Sequence, residues 1–89
     1  MAWEIEFTEG AKKQLSNLGY SEAKRVRDFL FKRVAAHQNP RILGAALQGS
    51  ELGGYWRYRL GDYRIICEIH DERVVVLVVG IGHRREIYS

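Results

Sequence analysis

The chain opens on an alternation: Trp3, Ile5 and Phe7 are apolar where Glu4 and Glu6 are charged, the period-two pattern of a half-buried strand, predicted over residues 2–7. The period then lengthens. Behind Thr8, whose hydroxyl can accept a hydrogen bond from a first-turn amide, Ala11, Leu15 and Leu18 recur at helical spacing until Gly19 stops the run. A second helix is predicted from a cap at Ser21 to about His37. Its apolar stripe is Ala23, Val26, Leu30 and Val34, flanked by Lys24, Arg25, Arg27, Lys32 and Arg33. Asn39-Pro40 ends it, because the residue before a proline is pushed out of the helical region. The two helices form a hairpin.

Residues 41–54 contain Gly44, Gly49, Gly53 and Gly54, too many glycines for a regular element, with Leu43, Leu47 and Leu52 to anchor what is predicted as a connecting loop. From Tyr55 the chain turns β-rich, with strands over residues 55–60, 63–69 and 74–79 joined by Gly61-Asp62 and His70-Asp71-Glu72 turns. Residues 74–79 are apolar at every position, which predicts a central strand covered on both sides. The order β-α-α-β-β-β gives an α+β domain: a four-stranded twisted sheet, its last three strands an antiparallel meander, with the helical hairpin on one face.

Composition narrows the class. At 89 residues, 46% hydrophobic and with one proline, the chain is a single folded domain, residues 1–89, and not a disordered segment. Cys67 is the only cysteine, so neither an internal disulfide nor a thiolate metal cluster is expected, in keeping with a reducing compartment. The N-terminus lacks a basic run followed by an apolar segment, and no apolar stretch approaches the ~20 residues of a membrane span. A cytoplasmic location is expected, with no membrane association. The net charge of +3 adds only a modest bias toward a polyanionic partner.

Charge placement says more than charge total. Trp56, Tyr58 and Leu60 share one face of their strand, so Arg57 and Arg59 share the other; in the next strand Ile65 and Cys67 face the helices and Arg64 joins the arginines. Guanidiniums ~7 Å apart repel by roughly 1 to 2 kcal/mol per pair at an effective dielectric of 20 to 40, and an anion relieves that cost. Pairing with Asp62, Glu68 and Glu72 is the plainer account of each arginine taken singly. The tail adds His83, Arg84 and Tyr88 after Gly80 and Gly82, two glycines expected to break the last strand. Cleavage of RNA without a metal needs a base for the 2′-hydroxyl proton, cations for the charge growing on the phosphate and a proton donor for the leaving 5′-oxygen. Arg57, Arg59, Arg64 and Arg84 suit the phosphate, because the guanidinium fork binds it through two hydrogen bonds and stays charged. His83 and Tyr88 are the acid–base candidates; a tyrosine can equally stack on a nucleobase. No phosphate loop with lysine, no histidine pair at metal spacing and no nucleophile beside a base competes with this set, and no cofactor is called for.

Leu47-Gln48-Gly49, the run from Tyr55 to Ile66 and the closing Gly82-His83-Arg84-Arg85-Glu86-Ile87-Tyr88 together resemble the RelE/ParE superfamily of type II toxin–antitoxin toxins, nearly end to end. The RelE-like branch implies a ribosome-dependent endoribonuclease, an mRNA interferase that cuts messenger RNA in the ribosomal A site and arrests growth. It also implies a cognate, RelB-like antitoxin that is partly disordered when free. By resemblance Arg57 and Arg59 stand at two basic strand positions, Arg64 at the phosphate-binding arginine, Arg84 at the tail arginine and Tyr88 at the terminal tyrosine. Where some members carry lysines this chain has Arg57, Arg59 and His83, which on the resemblance shifts proton transfer toward His83 or Tyr88. The sequence stops one residue past Tyr88, so inhibition by covering or distorting the groove is expected rather than movement of a further helix. The competing expectation is a ParE-like toxin that binds and poisons DNA gyrase without a nuclease site; a third is a decayed toxin surviving as an interaction subunit.

Overall fold

The computed structural model describes residues 2–47 and 54–83. Gln48 to Gly53 and the tail from Arg84, with Arg84 and Tyr88, lie outside the described residues. The element order is β1 (Glu4–Phe7), α1 (Glu9–Ser16), α2 (Tyr20–Asp28), a π-helical stretch Phe29–Val34, a 3-10 turn Pro40–Leu43, β2 (Ala45–Ala46), β3 (Tyr55–Leu60), β4 (Tyr63–His70), a 3-10 turn Asp71–Arg73 and β5 (Val75–His83). The strands form one sheet in the order β1-β5-β4-β3-β2, antiparallel except for the parallel β1–β5 pair. The expected α+β class holds, with five strands among the described residues instead of four. The extra one is Ala45–Ala46, inside the segment expected to be a loop, and it pairs with Arg57 and Trp56.

The local signals act as the chain chemistry requires. Thr8 is extended and its Oγ1 accepts from the Ala11 amide at 3.1 Å, opening α1. The next cap differs from expectation: Gly19, at φ 88°, precedes α2, and Ser21 lies within its first turn. Reversing direction between adjacent helices takes a left-handed residue there, which glycine adopts without steric cost. Beyond Asp28 the helix widens, and the Ala35 amide reaches back five residues to the Leu30 carbonyl at 2.8 Å. The wider turn keeps Phe29, Leu30 and Val34 buried while Phe31 stands half exposed beside Phe7, ring centroids 6.4 Å apart.

α1 and α2 cover one face of the sheet, where Ala11, Leu15, Ala23, Val26, Leu30 and Val34 pack against Tyr58, Ile65, Cys67, Val76, Val78 and Ile81. Burial pushes the Cys67 thiol well above its ordinary pKa, so it stays protonated and serves as a small apolar residue. β5 starts one residue later than expected, because Val74 takes a left-handed conformation (φ 56°) after the 3-10 turn. It also runs on through Gly80 and Gly82 instead of breaking there. The irregularity is a bulge: Ile66 pairs with Gly80 but Cys67 pairs with Val78, so Val79 is the added residue.

The segment before β2 is docked tightly. Pro40 is buried, its carbonyl accepts from the Tyr58 hydroxyl at 2.7 Å, and the Arg41 carbonyl accepts from Trp56 Nε1 at 3.1 Å. Arg41 spans to Asp71 through two 2.8 Å hydrogen bonds. At Gly44 a β-carbon would lie 2.4 Å from the Arg57 carbonyl oxygen and 2.9 Å from Tyr58 Cδ1. Gly44→Ala is therefore expected to destabilise the fold by about 3 kcal/mol, measured by urea denaturation, because backbone blocks the new methyl. The Arg41 guanidinium holds the Asp71 carboxyl below its ordinary pKa, chiefly through their hydrogen bonds. As pH falls the unfolded chain takes up this proton first, so the pair's contribution is complete above the unfolded value and lost as pH drops through the lower folded one. Between about pH 5 and pH 2, Tm of the native chain should fall more steeply than that of Asp71→Asn, with equal slopes counting against the pair.

Candidate functional site

The alternation that buries Tyr58 against Phe29, ring centroids 5.9 Å apart, turns Arg57 and Arg59 to the opposite face of the sheet. Among the described residues no helix covers that face. Register then assembles the cluster: Arg59 lies directly across from Arg64, and Arg57 across from Ile66. Directly opposed residues of an antiparallel pair have β-carbons ~4.5 to 5.5 Å apart, so Arg59 and Arg64 are close like charges. Arg59 is exposed and Arg57 half-buried, while Arg64 is only 6% exposed. A guanidinium that deep is not a freely solvated surface group.

The glycines of β5 matter here in an unforeseen way. Gly82 pairs with Arg64 and Gly80 with Ile66, so on the arginine face the end of β5 carries no side chains.

The same bulge decides the place of His83. After Val79 the alternation resets: Ile81 faces the helices opposite Ile65, and His83 falls opposite Tyr63, their rings edge to face with centroids 5.9 Å apart. Cross-strand partners share a face, so His83 sits on the helix side of the sheet end, across the strand from Arg64 and Gly82. The structure thus brings Arg57, Arg59 and Arg64 together and sets His83 apart from them. Arg84 and Tyr88 are outside the described residues.

Several charged side chains form pairs of their own. Glu68 lies 3.0 Å from His70 Nε2, Asp71 is held by Arg41, and Glu6 lies 3.4 Å from Arg73. On α2, Lys24 pairs with Asp28 and Arg25 with Glu22, so part of that basic run is answered within its own helix. Among the described residues no three His, Cys, Asp or Glu side chains are grouped to hold a metal ion.

One residue that sequence reasoning missed is Gln14. β1 ends opposite Val78, and beyond that point no strand among the described residues pairs with β5 on this edge. Gln14 Oε1 accepts from the Ile81 amide at 2.7 Å, standing in for the absent strand where the chain heads toward His83. No periodicity marks it; the signal is the difference in strand length. Gln14→Leu is expected to cost ~1 to 3 kcal/mol by leaving that amide unpaired, whereas Gln14→Glu keeps an acceptor and most of the stability, as urea denaturation of the two variants would show.

The family model for the ParE toxin of the parDE type II toxin–antitoxin system matches residues 5–88. The whole chain is 32% identical over 91 residues to the mRNA interferase toxin RelE of Escherichia coli strain K12, covering 93% of it. With toxin RelG of Mycobacterium tuberculosis it shares 31% identity over 88 residues, covering 99% of this chain and 98% of that one. Among solved structures, the RelBE2 toxin–antitoxin complex of M. tuberculosis is similar with a TM-score of 0.85 at 27% identity, over 94% of this chain and 93% of that one. Isolated E. coli RelE gives a TM-score of 0.70 at 25% identity, over 98% and 92%. The family match, the nearly end-to-end sequence likeness and the structural similarity agree, and this chain belongs to the RelE/ParE superfamily of type II toxin–antitoxin toxins.

Proposed function

We propose that this chain is a translation-inhibiting toxin that cleaves messenger RNA on the ribosome, through attack of a 2′-hydroxyl on the adjacent phosphate. The observation that carries the reading is the gathering of Arg57, Arg59 and Arg64 on one sheet face beside the side-chain-free end of β5. Its direction comes from relatives named mRNA interferase RelE. In this mechanism Arg59 and Arg64 grip the non-bridging oxygens, with Arg57 beside them. Their forks oppose the charge that grows as the 2′-oxygen bonds to phosphorus and the 5′-oxygen leaves. The 2′ proton goes to a base and the 5′-oxygen receives one from an acid, which leaves a cyclic phosphate and a free 5′-hydroxyl. Because His83 lies across the strand, proton transfer at that phosphate falls to the tail, with Tyr88 the candidate group and Arg84 a fourth cation. His83 packs against Tyr63 instead.

Positioning is left to the ribosome. An 89-residue domain has little means of holding a flexible strand in line for attack by itself, so free RNA should be cut poorly. The toxin works in the cytoplasm, where its target is, and its partner is a cognate RelB-like antitoxin, acidic and partly disordered when free, that covers or distorts the arginine face. Solved relatives include RelB–RelE complexes from E. coli and Methanococcus jannaschii.

A second reading is a ParE-like toxin that binds and poisons DNA gyrase without a nuclease site; what favours it is the match of residues 5–88 to the ParE toxin family. Primer extension on transcripts after brief expression separates the two. Codon-phased cuts are expected; intact messages together with gyrase-linked DNA breaks would establish the second reading instead. Arg59→Ala, at an exposed position, should lower cleavage by ~10²- to 10³-fold with the circular dichroism spectrum unchanged, while His83→Ala should cost less than ~10-fold. Equal losses would return His83 to the chemistry.

A further inference from the structure

The connection between β3 and β4 is a two-residue turn, Gly61-Asp62, closed by the Leu60–Tyr63 pair. Gly61 has φ 60°, the left-handed first residue of a tight hairpin turn whose twist matches its strands. The Arg59–Arg64 pair lies immediately behind the closing pair. The two cations thus stand where a hairpin frays most readily, and as directly opposed like charges they push its strands apart.

α2 meets this tip from the helix side of the sheet. A β-carbon added at Gly61 would lie 3.0 Å from Arg25 Nη2, 3.3 Å from Nη1 and 3.5 Å from Cζ. Both terminal nitrogens are nearer than the carbon between them, so the guanidinium points its fork at the turn and fills the space that a side chain would take. Glu22, one turn earlier on α2, lies 3.5 Å from Arg25 Nη1 and steadies the arginine there.

The turn bears directly on Arg64. Arg64 Nη1 donates to the Tyr63 carbonyl at 3.3 Å, so the placement of the closing pair helps to set where this guanidinium sits. At 6% exposure Arg64 has little room to recover its place if that carbonyl moves. Contacts therefore run from α2 through Gly61 and Tyr63 to the arginine face. Arg57, across from Ile66, lies two pairs farther from the tip than Arg59 and Arg64.

We propose that Arg25 is a positioning residue: seated on Gly61, it holds the β3–β4 turn and, through the Tyr63 carbonyl, sets the place of the Arg64 guanidinium. Its effect on rate rests on the ribonuclease reading above, to which it adds a residue from the helical side of the sheet. The plainer alternative is a basic helix residue that only draws the chain toward a polyanion. The two differ in what they change: misplacing a group that meets developing charge slows the chemical step, whereas long-range attraction acts on binding and is screened by salt.

The test compares the full chain with Arg25→Ala and with Arg25→Lys, which keeps the charge without the fork. The position is half exposed on a helix and accepts either residue, so both variants should fold. The first readout is NMR of the free chain. In Arg25→Ala the Arg64 Nε–H signal is expected to shift and the Leu60 and Tyr63 amides to exchange at least about threefold faster, while the Arg57 Nε–H signal stays in place. The second readout is cleavage on the ribosome: kcat should fall about tenfold with KM within about twofold, and Arg25→Lys should recover less than half of the loss. An unmoved Arg64 signal, a change confined to KM, or full recovery by Arg25→Lys would overturn the positioning role. A native chain that cuts no message sinks the ribonuclease reading instead, and the NMR readout then decides the link from Arg25 to Arg64 by itself.

Discussion

Tyr58 cannot leave the core. Its ring is fully buried against Phe29 and its hydroxyl is bound to the Pro40 carbonyl, so the polar tip is satisfied only in this one position. Burial also raises the phenol's pKa, which keeps that donor proton in place at any ordinary pH. Because side chains alternate, this single anchor dictates the rest of β3: Arg57 and Arg59 must point away from the helices. A slip of one residue would drive both guanidiniums into hydrocarbon, a far larger cost than any gain in pairing. Strand β4 is held in turn by Ile65 and Cys67, which places Arg64 opposite Arg59. The like-charge cluster is thus enforced by the apolar face behind it.

Where chemistry and period coincide, the chain is transparent to reading. The alternation through Trp3, Ile5 and Phe7, the Thr8 cap, the stripe from Ala23 to Val34 and the outward set Arg57, Arg59 and Arg64 all follow from spacing, and all appear in the structure. What spacing misses are departures by one residue. Ala45–Ala46 is too short to show alternation and becomes a strand only because β3 supplies the partner. Gly19 does the work assigned to Ser21, because a reversal needed a left-handed backbone more than a side-chain cap. The π-helical stretch and the bulge at Val79 each insert one residue into a regular period, and no residue type announces either. The second insertion is why His83, adjacent in sequence to the tail cations, ends on the other face from Arg64.

The site is therefore asymmetric in its origins. Its arginine cluster is built into two paired strands with a packed core behind them. At Ile81, by contrast, the edge is met by one side chain, Gln14, which reaches from α1 to an amide that no strand among the described residues pairs. Rigid cations preorganised for a developing charge lower a barrier more than mobile ones do, since little reorganisation remains to be done at the moment of reaction. A small domain with a shallow site gains most from this arrangement when a larger assembly presents the substrate.

The bare stretch at the end of β5 carries an evolutionary implication. At Gly80 an added methyl would meet its neighbours, Gln14 Oε1 and Ile66 Cβ, at 3.8 and 3.9 Å, distances at which ordinary packing is content. The architecture would absorb such a change beside Ile66, the cross-strand partner of Gly80, so a lineage can add a side chain to the arginine face at this position without losing the fold.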